Sequence, residues 1–276
     1  MELSPAPAGR WADLPEDIAL AVASRLQEAD VCALGGCSRS WRAACDADCV
    51  WERLFRCRWP AAAAEVAAAS RVQKTSVQCK LRESSTEKVM LVDCQTFSLS
   101  GIVNRNNVTY VLGWKALYIN QHRRMDVAIS NVVEFVRSSL NNGWLESECY
   151  LKAIADLALT ADIGFLDVQF FLFSRNHSAI INLIGLHYSI ASLHVPPTEV
   201  SKALQARQVA GRKVCVNLVK LGRWFYGFRL PDEHESRKIS LSELTVAEGA
   251  EILAILNRGA VHEVFRLRIS LADIDK

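Results

Sequence analysis

Up to about residue 211 the apolar residues of this 276-residue chain recur every three or four positions, and from about residue 213 they recur every two. The first period belongs to helices packed through one face, the second to strands whose side chains alternate between two sides. A chain whose period changes this late points to a mixed α+β fold in which a helical layer precedes a small antiparallel sheet with one helix. Met125, Ile129, Val132, Val136 and Leu140 carry helical spacing up to Asn141-Asn142-Gly143, a strong stop signal. Leu151, Ile154 and Leu157 mark a second helix, and further apolar helices are expected over roughly 165–174 and 178–193. PPTEVSKALQARQVAG reads as a proline-started helix closed by Gly211. VCVNLVKL is then followed, past Gly222-Arg223, by WFYGFRL, in which Trp224, Tyr226, Phe228 and Leu230 alternate, and the two segments predict a hairpin. KISL at 238–241 adds a candidate strand, TVAE at 245–248 a capping box opening a helix to about Asn257, and VFRLRIS at 264–270 a last strand. No internal period of about 20 to 50 residues is present, so leucine-rich, Kelch and WD repeats are not expected.

Composition removes several functions. Net charge is +2, from 32 basic and 30 acidic residues, which gives no nucleic-acid footprint. The one basic run, His122-Arg123-Arg124, reads as a solvated helix turn. MELSPAPAGR, residues 1–10, lacks the charged opening and apolar core of a secretory signal and reads as a flexible tail. The most apolar region, Ile163 to Val195, is broken by Asp167, Gln169, Arg175, Asn182 and His187, whereas a membrane span needs about 20 nearly uninterrupted apolar residues. Buried helices are therefore expected there, and no membrane association. Five of the nine cysteines, Cys32, Cys37, Cys45, Cys49 and Cys57, fall within 13–60 with no Cys-x-x-Cys spacing and no histidine nearby. They read as free thiols serving as small core hydrophobes in a reducing compartment, cytoplasm or nucleus, so neither metal nor cofactor is expected. No paired carboxylates, nucleophile elbow, phosphate loop or dinucleotide fingerprint is found. The histidines are scattered; His187 and His194 can share a helix face and read as core or helix-end groups. Arg223 and Arg229 beside Trp224, Tyr226 and Phe228 allow stacking on a nucleic acid or peptide, although a sheet core with solvated arginines explains the same residues.

Residues 13–60, DLPEDIALAVASRLQEADVCALGGCSRSWRAACDADCVWERLFRCRWP, hold more apolar side chains than so short a block can hide by itself. Asp13 can cap a first helix whose opening turn holds Pro15, Glu16 and Asp17, and which runs to about Leu26 with Ile18, Val22 and Leu26 on one face. Asp30 can cap a short second turn carrying Val31 and Leu34, which Gly35 and Gly36 would end or loosen. A third helix fits Arg39 to Cys45, and Val50, Trp51, Leu54 and Phe55 begin a fourth. Units of about 45 residues rarely stand alone without disulfides, metals or a partner. The apolar excess thus points to a docking surface, or to packing within the same chain.

The order LPED, RL, D-V-x-x-L, C-S-R-S-W-R and V-W-E-R-L-F resembles the F-box, the module that binds the Skp adaptor of cullin-RING ubiquitin ligases, and the alanine-rich opening and layout are similar to unclassified plant F-box proteins. The resemblance implies a Skp-adaptor-binding surface with Leu14 and Pro15 in the adaptor's groove and Ile18, Leu26, Val31, Leu34 and Trp41 filling or bracing the interface, while Trp51 braces the module's own core. Family members usually carry larger apolar residues where this chain has Gly35, Gly36 and Cys37. It further implies a non-catalytic substrate-recognition subunit, joined through the adaptor to cullin and recruiting a cargo protein. The alternatives are a binding module that works with the adaptor outside a cullin ligase, or a small-ligand sensor. The expected layout is a tail at 1–10, an F-box at 11–59, a helical linker at 60–88, and a substrate-binding domain at 89–276, mainly helical to about 211 and β-rich from about 213. Within it, VMLVDC reads as a short strand or turn, SGIVNRNNVTY as a loop about Asn104 to Asn107, and Trp114 and Tyr118 as one helix face.

Overall fold

Pro15, at φ −52° and ψ 141°, turns the chain into α1 (Glu16–Ala23), where the carboxylates of Glu16 and Asp17 sit at the positive end of the helix dipole. The computed structural model describes residues 15–77, 102–105, 108–111, 113–160, 163–259 and 264–272, so Asp13, Leu14, ESSTEK and VMLVDC lie outside the described residues. The chain divides into two compact units, Met1–His122 and Arg123–Lys276.

In the first unit α1 stops three residues short of the expected end: the amides of Ser24 and Arg25 close back on Leu20 and Val22, leaving Leu26 in the turn. α2 (Glu28–Cys37) runs through the glycine pair instead of ending at it, and Asp30 stands in its first turn rather than capping it. Gly35 faces Cys45 and Gly36 faces open space, so the helix continues at the cost of about 1 kcal/mol per glycine, offset by packing of α2 on α3. α3 (Arg39–Asp46) is capped by the Ser38 hydroxyl, which accepts from Trp41 N at 3.2 Å. α4 (Asp48–Arg58) and α5 (Pro60–Val77) follow. β1 (Ile102–Arg105) and β2 (Val108–Val111) pair antiparallel, where a loop is expected from the asparagines; the β-branched residues flanking them prevail. Trp114 and Tyr118 open α6 (Trp114–Ser138), a single helix that also carries Met125 to Val136.

The second unit is built on a four-stranded antiparallel sheet, order β3-β8-β4-β7, with β3 (Trp144–Glu146), β4 (Lys213–Lys220), β7 (Glu233–Ser240) and β8 (Val264–Leu271). Between β3 and β4 lie α7 (Ser147–Leu159), the short α8 (Phe165–Asp167) continued as a wider π turn over Val168–Leu172, α9 (Ala179–Ala191) and α10 (Pro197–Ala206). Val214, Val216, Leu218, Leu267 and Ile269 are buried, and α7 and α9 pack on the sheet. α9 is buried from Ala179 to Ser189, as a helix between two layers must be. The turn at Asn142 (φ 50°) and Gly143 (φ 82°) places β3, where three residues are too few to show alternation, against β8.

Three sequence expectations are corrected here. VCVNLVKL does not pair with WFYGFRL: β4 pairs with β7 from Lys213↔Ser240 to Lys220↔Glu233, and among the described residues Trp224–Phe225 (β5) and Phe228–Arg229 (β6) pair only with each other. The sequence EHESRKIS looks unlike a strand because β7 is an edge, where charges protect the open backbone. α10 closes at Ala206, with Gln208 at φ 58° taking the left-handed position expected of Gly211. Helix α11 (Ala247–Arg258) has Val246 at its cap position and no side-chain cap, because Thr245 Oγ1 instead donates to Ser242 O at 2.7 Å.

Candidate functional site

The first four helices leave one face apolar and open. α1 buries its small residues, Ala19 and Ala23, so the helix sits close on α3. Its branched residues point the other way: Ile18 is 46% and Val22 39% exposed, and Pro15 is exposed beside them. Leu26, Leu34 and Trp41 are half-buried, whereas Val31 is 1% exposed and has no surface to offer. The structure thus brings Pro15 and Ile18 onto an open surface, leaves Leu26, Leu34 and Trp41 at partly covered positions, and sets Val31 in the core of the module; Leu14 lies outside the described residues. Arg53 pins the turn after α1 by donating Nη2 to the Leu26 carbonyl.

The other side of the module is closed by its own chain. Trp51, Phe55 and Trp59 of α4 and its C-cap meet Trp114 and Tyr118 of α6, with tilted or edge-on ring pairs at 4.9–5.7 Å. Trp51 Nε1 donates to Cys45 O at 2.8 Å, satisfying the one polar atom of a 4% exposed indole. The buried Arg58 guanidinium donates to Glu28 Oε1 at 3.0 Å and to Tyr118 Oη at 2.7 Å, and lies 4.8 Å over the Trp59 ring. Asp48 Oδ1 accepts Trp114 N at 2.7 Å, and Lys115 pairs with Asp46. Sequence reasoning placed Asp48, with Asp46, as turn and capping chemistry ahead of α4 and missed both its cap on α6 and the role of Arg58; Gly113, whose added Cβ would stand 3.1 Å from Asp48 Oδ1, marks the close approach.

A short helical module with one face sealed and a branched-apolar face left open on α1 is shaped for a partner. A family model described as F-box-like matches residues 11–57. The chain carries an N-terminal F-box-like domain. No curated protein and no solved structure matches the chain significantly, and the second unit lies wholly outside the family match.

Beside the F-box-like domain's α2 and α3 a cleft of about 300 Å³ opens, closed on one side by α6 and lined by Cys32, Gly35, Gly36, Arg42, Asp46 and Lys115 among others. Arg42 Nε donates to Gly35 O at 3.3 Å, so the carbonyl exposed by the glycine pair is satisfied. Burial, and then the neighbouring Asp46 charge, push the Cys45 thiol up, which holds it protonated and poorly nucleophilic. Among the described residues no cluster of histidine, cysteine and carboxylate side chains could hold a metal ion, and no helix is long and apolar enough to cross a membrane.

Proposed function

We propose that the protein is the substrate-recognition subunit of a Skp-cullin-F-box ubiquitin ligase, acting in the cytoplasm or nucleus. The F-box-like domain docks on a Skp-family adaptor through Leu14, Pro15, Ile18 and Val22, with Leu26, Leu34 and Trp41 at the border and Val31 bracing from beneath. The second unit recruits a cargo protein. Such a subunit performs no bond chemistry; it raises the effective concentration of cargo lysines beside a ubiquitin-loaded enzyme through geometry. The observation that carries this reading is the F-box-like match at 11–57 together with the open α1 face.

The test is co-expression with a Skp adaptor, comparing wild type with the Leu14→Ala, Pro15→Ala double variant and with Ile18→Asp. A stoichiometric complex that the variants lose, and that brings cullin down with it, is the expected result. Failure of the wild type to bind the adaptor at micromolar concentration overturns the proposal, and an adaptor complex without cullin overturns its ligase half.

A further inference from the structure

The open helix α1 is held by little of its own. Of its eight residues only Ala19 and Ala23 are buried, so its buried face consists of two methyl groups on α3, while Pro15, Ile18 and Val22 are exposed. Hydrophobic hold grows with the apolar area removed from water, and two alanines remove little.

The turn that follows α1 is gripped from α4 instead. Arg53 Nη2 donates to the Leu26 carbonyl within the turn, and Arg58 Nη1 donates to Glu28 Oε1 at 3.0 Å in the first turn of α2. Two arginines of one helix therefore hold the turn and the start of the helix after it, and the direction in which α1 projects follows from that grip.

Arg58 is held in its turn from α6. The same Nη1 donates its second proton to Tyr118 Oη at 2.7 Å, and the guanidinium lies 4.8 Å from the centroid of the Trp59 ring and 5.8 Å from that of Tyr118. A guanidinium is planar, stays charged and carries its donors in a rigid fork, so one residue can tie two elements at once. The Tyr118 ring packs against Trp51 at 5.2 Å and Trp59 at 4.9 Å, which fixes where its hydroxyl stands. A chain of contacts thus runs from Tyr118 through Arg58 to Glu28, beside the turn that carries α1. Tyr118 is 5% and Arg58 7% exposed, so neither has surface to offer a partner. Any effect they have on docking is an effect of position.

We infer that Arg58 and Tyr118 are positioning residues for adaptor docking, so that the docking face is set by groups outside the matched residues 11–57 and adaptor binding is coupled to the first turns of α6. This rests on the receptor reading above. The full chain and three variants are titrated with a purified Skp-family adaptor in calorimetry, at a temperature where each is folded by circular dichroism. Tyr118→Phe keeps the ring and removes only the hydroxyl; Arg58→Lys keeps the charge and loses the fork. Gly185→Ala, in the second unit, is the control for lost stability. The two positioning variants are expected to bind the adaptor about 5-fold or more weakly, with Gly185→Ala binding like wild type. Hydrogen exchange at the amides of residues 118–122 then separates position from stability, since coupling is reciprocal. With adaptor at the same multiple of each dissociation constant, general stabilisation by the bound adaptor is equal, and exchange there should slow more in wild type than in Tyr118→Phe. Wild-type affinity in both positioning variants, an equal loss in Gly185→Ala, or equal slowing in wild type and Tyr118→Phe overturns the inference and leaves the receptor reading standing. A wild-type chain that binds no adaptor overturns both.

Discussion

Asp48 Oδ1 accepts the backbone amide of Trp114 at 2.7 Å, so a carboxylate inside the F-box-like domain caps a helix that starts 66 residues further along the chain. The bond satisfies one of the orphan amides at the start of α6 and adds a negative charge at its positive end. With Arg58, which donates to Tyr118 Oη, it holds Trp114 and Tyr118 over α4. Asp48→Ala is expected to cost about 0.5–2 kcal/mol, read as a lower urea midpoint for the full chain. Asp48→Asn, which keeps an acceptor, should recover most of the loss; equal losses in both variants would deny the cap its role.

How much of this was legible beforehand depended on whether a segment is stabilised locally or by distant groups. Asn142-Gly143 and the spacing of Leu151, Ile154 and Leu157 are local signals, and the structure follows them. Gly35-Gly36 is also a local signal, yet it is overridden by the packing of α2 on α3, which no window of sequence contains. WFYGFRL reads as one alternating strand, yet it turns back on itself at Tyr226-Gly227, both at positive φ, so its two halves pair with each other and not with β4. Leu14 and Pro15 could be picked out only through resemblance to a family, whereas Asp48 and Arg58 act over 60 residues or more and leave no periodic trace.

Ile18 and Val31 separate surface from core within the same module. Val31 is 1% exposed, so Val31→Ala removes buried methyl groups and is expected to cost about 1–3 kcal/mol in urea unfolding. Ile18 is 46% exposed, and Ile18→Ala should shift stability by less than about 0.5 kcal/mol while weakening adaptor binding in calorimetry. An Ile18→Ala variant that binds the adaptor like wild type would remove α1 from the interface.

Gly185 lies where α9 packs on the π turn. A Cβ there would stand 2.9 Å from Leu172 Cβ, 3.1 Å from a Phe173 ring carbon and 3.2 Å from Val168 Cγ1. Phe173 and Val168 are fully buried, so neither can swing into solvent. Gly185→Ala is therefore expected to destabilise the protein by about 1–3 kcal/mol, despite alanine's better helix propensity. A thermal melt unchanged or raised by the substitution would show that the turn can yield.

Tyr150 and His187 form a buried pair whose sign on stability can be worked out. Burial holds the Tyr150 hydroxyl protonated, and it lies 2.8 Å from His187 Nδ1. Burial also lowers His187 from 6.5 to about 4, so at neutral pH the imidazole is uncharged and its Nδ1 accepts the hydrogen bond that the hydroxyl donates. In the unfolded chain the same imidazole takes up a proton near pH 6.5, and the folded chain does not follow until about pH 4. The contribution is therefore complete above pH 6.5, declines as pH falls through that interval, and levels off below about 4. Its size is about 3 kcal/mol at most. Acid also weakens the clamp on Glu146, where burial alone would raise the carboxyl but Arg266 and Arg268 hold it low. That second loss sets in only within the carboxylate range and is shared by any His187 variant. The comparison to make is wild type against His187→Gln, which retains an acceptor for Tyr150 and cannot titrate, with unfolding free energies from urea titrations at pH 7 and pH 5. His187→Gln should start less stable at pH 7 and lose less between the two values. Parallel pH profiles for the two proteins would mean that His187 titrates normally and that the pair is not closed to solvent.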